Sequence, residues 1–174
     1  MRKGFLILSA VSVLLSTQSY ANQKVCVFDL LGKAGESYKL MEEWSLASRA
    51  WGAQVQLLAY QDESKVDKDF KDGLCDAFYM TSMRARAYNK FAGSIDAIGG
   101  VPNNEIAQKA ISYVLDKRNA KRLVTNAVKD SYEVAGIGQI GSAYIFVRDK
   151  NINTLEKAEG KKFAVLHYDY AQKV

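Results

Sequence analysis

Soft metal ligands are scarce in this chain of 174 residues, which contains one histidine and two cysteines. His167 stands near Asp169 and Tyr170 towards the C-terminal end, and no nucleophile motif of the G-x-S-x-G kind accompanies it. Too few ligands remain for a typical zinc site, and no set of residues answers to a catalytic constellation. Gly136-Ile137-Gly138 and Gly141 echo a dinucleotide fingerprint, but the spacing is wrong and a strand-like run follows where a helix should stand. No cofactor, metal or catalytic residue is therefore expected. Long apolar runs are missing as well. Past Ala21 nothing approaches the ~20 apolar residues that a membrane helix needs, which excludes a pump subunit with about a dozen such helices. Charge is not blocked either. The formal net charge of +5 is spread through the chain, and the nearest basic cluster, Lys117-Arg118 with Lys121-Arg122, sits on a helical pattern. A concentrated basic face is what nucleic acid requires, so no nucleic-acid partner is expected.

What is present begins with an export pattern. Met1-Arg2-Lys3 is basic, Phe5 to Leu15 is apolar, and Ser19-Tyr20-Ala21 has the small-x-small form read by signal peptidase. The apolar core is too short for a bilayer span, and no cysteine follows it as in a lipoprotein. Residues 1–21 are expected to be a cleavable signal peptide, with cleavage after Ala21 leaving a periplasmic chain that starts at Asn22. About 150 residues then remain, one medium domain.

The mature chain opens on Lys24-Val25-Cys26-Val27-Phe28-Asp29-Leu30-Leu31-Gly32, an apolar run broken by glycine. Such a run suits a central strand of a parallel sheet, buried on both faces. Glu36 to Trp51 follows with Leu40, Met41, Trp44, Ala47 and Trp51 at helical spacing, and Gly52 closes it. Ala53–Tyr60 reads as a second strand, Asp62–Lys71 as a short charged helix stopping at Gly73, and Leu74–Met80 as a third strand. This βαβαβ order implies a parallel sheet with right-handed crossovers. Ser82–Phe91 reads as a helix, Ile95–Ile98 as a short strand, and the stretch after Pro102 as a strong helix through Leu115. Ala120–Val128 reads as another helix. From Tyr132 to Arg148 the pattern is glycine-punctuated and strand-like, then a short helix covers Asn153–Glu159 and a strand Lys161–Leu166.

Cys26 and Cys75 both fall in apolar, strand-like runs. In an oxidising compartment, and if those strands are neighbours, they form a disulfide; the alternative is two buried thiols.

Val25-Cys26-Val27-Phe28 after an export signal, then Asp72-Gly73-Leu74-Cys75-Asp76-Ala77, resembles the first lobe of a periplasmic solute-binding protein. Ala143–Arg148 followed by Thr154-Leu155-Glu156-Lys157-Ala158-Glu159-Gly160-Lys161-Lys162-Phe163-Ala164-Val165 is similar to the crossover into the second lobe of type 2 binding proteins. The receptors of TRAP transporters share this arrangement. The chain as a whole resembles the AdeT type of solute-binding protein, a family also labelled as RND-type efflux components linked to aminoglycoside resistance. The resemblance implies an α/β fold: a type 2 binding-protein-like first lobe over residues 22–131, with a parallel-dominated sheet flanked by helices, then hinge strands and an incomplete start of a second lobe over 132–174. A complete receptor has two lobes, so the chain is expected to be a C-terminally shortened form. The implied function is to bind a small solute for a membrane transporter, and the alternative is a soluble accessory of an efflux system. No enzyme is implied.

In open α/β sheets, ligands bind at the carboxyl ends of strands. That rule selects Asp29, Gly32, Lys33 and Ser37 after the first strand, and Thr81, Ser82 and Arg84 after the third. Gln139 and Ser142, near the crossover, are placed on the hinge side of the cleft. Lys33 and Arg84 favour an anionic solute, as helix N-termini would; Asp29 would instead meet a cationic amine.

Overall fold

The computed structural model describes residues 22–97, 100–127, 130–141, 146–162 and 164. The export segment, Ser142 and half of the expected strand Lys161–Leu166 lie outside the described residues.

Strand β1 (Gln23–Phe28) lies between β2 (Val55–Tyr60) and β3 (Ala77–Tyr79) and runs parallel to both. A strand in that position has no solvated face, which is why its sequence is a continuous apolar run. Val25 and Val27 pack to one side with Tyr38 and Met41 of helix α1 (Glu36–Ser48). Cys26 packs to the other with Val66 and Phe70 of helix α2 (Glu63–Lys71). The chain passes from β1 outwards to β2, then back across β1 to β3. With right-handed crossovers, that reversal requires α1 and α2 on opposite faces of the sheet, as the two core clusters place them. The fold class expected from the sequence, α/β with a parallel sheet flanked by helices, is the one observed.

Local chemistry accounts for the helix limits. A single 3-10 turn, Arg49–Trp51, ends α1 at Gly52, whose φ of 82° lies in the left-handed region that favours glycine. The Asp62 carboxylate accepts the Ser64 N–H and starts α2. Along α2 three lysine–aspartate pairs at i,i+4, Lys65–Asp69, Lys68–Asp72 and Lys71–Asp67, support a helix with little apolar surface of its own. Cys75, in the turn before β3, is disulfide-bonded to Cys26 with Cα atoms 5.8 Å apart.

Beyond β3 the structure departs from the sequence pattern in several places. The expected helix Ser82–Phe91 is reduced to α3 (Ser82–Ala85), and at the start of the expected strand Ile95–Ile98 the chain makes a 3-10 helix, Ala92–Asp96, with Ile98 outside the described residues. Buried Asn89 explains the break: its amide donates to the Arg122 carbonyl and the Thr125 hydroxyl and its oxygen accepts the Ala92 N–H. Those bonds tie the segment to its neighbours and replace a continued helix. Helix α4 (Asn104–Val114) forms as read, with Asn103 accepting the Ile106 N–H. Helix α5 (Ala120–Leu123) stops early and hands over to β4 (Val124–Asn126), which pairs antiparallel with β5 (Ser131–Glu133). Among the described residues of the strand-like run from Tyr132 to Arg148, a strand forms only in β5; residues 134–141 have no regular structure, and 142–145 lie outside the described residues. Helix α6 is a single turn, Leu155–Ala158. The hairpin joins the α2 side of the sheet through ring contacts: the Tyr132 ring meets that of Tyr88 edge to face at 5.0 Å and lies tilted 5.9 Å from that of Phe70.

Candidate functional site at the carboxyl edge of the sheet

The strand order β2-β1-β3 makes β1 and β3 a topological switch point, where loops leave neighbouring strands towards different faces. The registers Phe28 to Tyr60 and Val27 to Tyr79, continued past the strand ends, set Asp29 level with Gln61 on one side and Thr81 on the other. Adjacent strands are about 5 Å apart, so the three residues form one short rim.

Asp29 is engaged by the protein itself. One carboxylate oxygen accepts the Leu31 N–H at 2.9 Å; the other accepts those of Ser37 at 2.9 Å and Tyr38 at 3.3 Å. The carboxylate therefore sits at the N-terminus of α1, where an anion from outside would otherwise bind. Gly35 makes this possible, because a Cβ there would lie 1.7 Å from the carboxylate. Gly32 has φ of 59° and is buried against the side chain of Gln61, whose amide donates to the Leu30 carbonyl at 3.1 Å. Lys33 is exposed on the 3-10 turn that follows.

On the β3 side, Thr81 and Ser82 open α3, and Arg84 lies within it. Its guanidinium Nη2 donates to the Ser64 hydroxyl at 3.2 Å, and its Nε lies 3.8 Å from Oε2 of Glu63. Glu63, with 3% of its surface exposed, accepts the Thr81 N–H on Oε1 at 2.5 Å. Burial pushes the Glu63 carboxyl above its ordinary range, against the opposing pull of the Thr81 hydrogen bonds and of Arg84. Behind it, buried Tyr88 donates to Asp67, which also receives Lys71. Gln139 is carried past β3 by a chain segment in which Gly138 approaches the Tyr79 hydroxyl, but its amide turns to Asn104 at 2.8 Å.

The expected residues thus divide into two groups. Asp29, Gly32, Lys33 and Ser37 gather in the turn after β1, and Thr81, Ser82 and Arg84 in the turn after β3 beside it. Gln139 points away towards α4, and Ser142 lies outside the described residues. The sequence reading missed Gln61, Glu63 and Ser64. They follow the second strand on the same edge, so the strand-end rule, applied to β2 as well, would have found them.

Compared with known proteins, residues 39–174 match the family model described as "Solute-binding protein AdeT 1/2". The chain belongs to the AdeT family of solute-binding proteins. A protein of Acinetobacter baumannii named "Probable solute-binding protein AdeT1" is 42% identical over 146 residues, covering 84% of this chain and 47% of that relative. The chain therefore spans about half the length of this AdeT relative. No solved structure matches. The family match includes most of α1 and the turn after β3, Thr81 to Arg84 among its residues, but begins after Asp29 to Ser37. Among the described residues no helix is long and apolar enough to cross a membrane, and no cluster of metal-ligating side chains occurs.

Proposed function

We propose that this chain is a periplasmic receptor lobe that binds a small polar solute at the carboxyl edge of β1 and β3 and delivers it to a membrane transporter. The observation that carries the reading is the switch point itself: two turns rich in polar groups leave adjacent parallel strands side by side, in a chain of a solute-binding family. The solute carries an anionic group that meets Arg84, with Lys33 on the opposite lip.

Helix dipoles contribute less to this preference than the sequence suggested. The α1 N-terminus already holds the Asp29 carboxylate, and that of α2 holds Asp62. The α3 helix has only four residues. Selection of an anion then rests on side-chain charge, mainly the guanidinium, which suits a planar carboxylate better than an ammonium would. Residues 1–21 act as the export signal in this reading, and residues 132–174 lead towards a second lobe. Calorimetric titration of the chain with a panel of organic acids and amino acids tests it. Saturable binding of an acid, weakened about tenfold or more by Arg84→Ala, is the expected result. Heats no larger than dilution across the panel, or binding indifferent to Arg84, would count against it.

A further inference from the structure

We infer that Glu63 is the positioning residue of the solute site: it fixes the β3–α3 turn and the direction of the Arg84 guanidinium from beneath. The inference rests on the proposed binding edge and adds to it the device that orders one half of it.

Glu63 enters the β3–α3 turn from the first turn of α2, beside its neighbour Ser64. One oxygen holds the Thr81 backbone at 2.5 Å and the other faces Arg84 Nε at 3.8 Å, so a single rigid carboxylate is shared between the start of the turn and its cation. Ser64 takes Arg84 Nη2 at 3.2 Å and sets the plane of the guanidinium. The carboxylate side chain is 2% exposed, whereas that of Arg84 is 24% exposed. The pair therefore has a buried anchor and a head that reaches solvent at the sheet edge. An arginine side chain has many rotamers, and holding it in one removes an ordering cost from each binding event. The charges facing Glu63 are Arg84 and Asp62, the first stabilising its ionised form and the second opposing it. Asp67, one turn further along α2, takes Tyr88 and Lys71 in the same way and supports the far side of the turn.

The test reads Arg84 directly and needs no known ligand. In ¹H–¹⁵N spectra of the chain, the Arg84 Nε–H resonance, assigned by its loss in Arg84→Lys, is expected to be protected from exchange. It should move as pH falls through the range where Glu63 takes up a proton, which lies above that of an ordinary glutamate. Glu63→Gln, which keeps an acceptor for Thr81 but not the charge, should shift that resonance and speed its exchange by about tenfold. An Arg84 signal that is unchanged in Glu63→Gln and flat with pH overturns the inference, and the wild-type titration alone decides it if the variant folds poorly. A parallel titration with succinate separates the two readings. Succinate binding that weakens in Glu63→Gln supports both. An Arg84 signal that depends on Glu63 while succinate and the rest of the acid panel fail to bind keeps the positioning role and removes the anionic solute.

Discussion

Two aspartates that look alike in sequence play different parts. Asp29 spends its carboxylate on three backbone N–H groups, closing the turn between β1 and α1. Asp29→Ala leaves all three N–H groups without their acceptor at once and should destabilise the fold by about 2 kcal/mol in urea unfolding, the upper range for a lost helix cap. Asp67 is partly buried; burial pushes its carboxyl up, but the hydrogen bonds from Lys71 and Tyr88 outweigh that and hold it below the ordinary aspartate range. A carboxyl depressed in the folded state adds stability above its unfolded pKa, near 4, and loses it as pH falls through the folded value. Asp67→Asn still accepts from Tyr88 but does not titrate. The stability gap between wild type and Asp67→Asn should therefore narrow as pH drops from about 6 to about 3, measured by urea midpoints. Glu63 has the opposite sign: its raised carboxyl makes ionisation a cost that grows as pH rises through its folded value. Tyr60, pushed up to about 12 by burial and by its bond to Asp69, remains a hydrogen-bond donor throughout that range.

At the scale of elements, β1 shows how much one strand's pattern can reveal. Its unbroken apolar run announces a strand with two buried faces, and both are filled, by α1 and by α2. For α1 the same kind of reading selects a stripe of which Met41 alone turns to the sheet. Leu40, Trp44 and Trp51 keep helical spacing yet stand 48%, 48% and 89% exposed, while Tyr38, Met41 and Ser45 turn to the sheet. Periodicity locates a stripe but does not say which stripe a sheet selects. Here the smaller Ser45 allows closer approach, and its hydroxyl bonds the Val55 carbonyl. Trp51→Ala should therefore change stability by no more than about 0.5 kcal/mol, as for an ordinary surface position. Val66→Ala, at a side chain with no exposed surface, should cost about 2 kcal/mol; comparable losses for both would refute the assigned faces. After β3 the pattern says less, because the Asn89 junction is held by Arg122 and Thr125, more than thirty positions away. No local period encodes such contacts.

Across the whole molecule, the disulfide connects β1 to the lead-in of β3 over a separation of 49 residues. A closed loop of that size stabilises by about 4 kcal/mol on the chain-entropy model. The double variant Cys26→Ala with Cys75→Ala should lose a comparable amount, with the urea midpoint falling accordingly. The sequence suggested this bond from compartment and strand neighbourhood, and it suggested the β1 and β3 ends of the proposed solute site from the strand-end rule. It could not show that Asp29 is satisfied internally or that Arg84 rests on Glu63, since both depend on how α1 and α2 approach the sheet edge. The most direct measurement is ¹H–¹⁵N shift mapping of the chain with whichever acid binds in calorimetry. Perturbations concentrated at Lys33 to Ser37, Gln61 to Ser64 and Thr81 to Arg84 are the predicted result. Perturbations confined to α4, to the β4–β5 hairpin or to the Trp44–Trp51 flank would contradict a solute site at the carboxyl edge of the sheet.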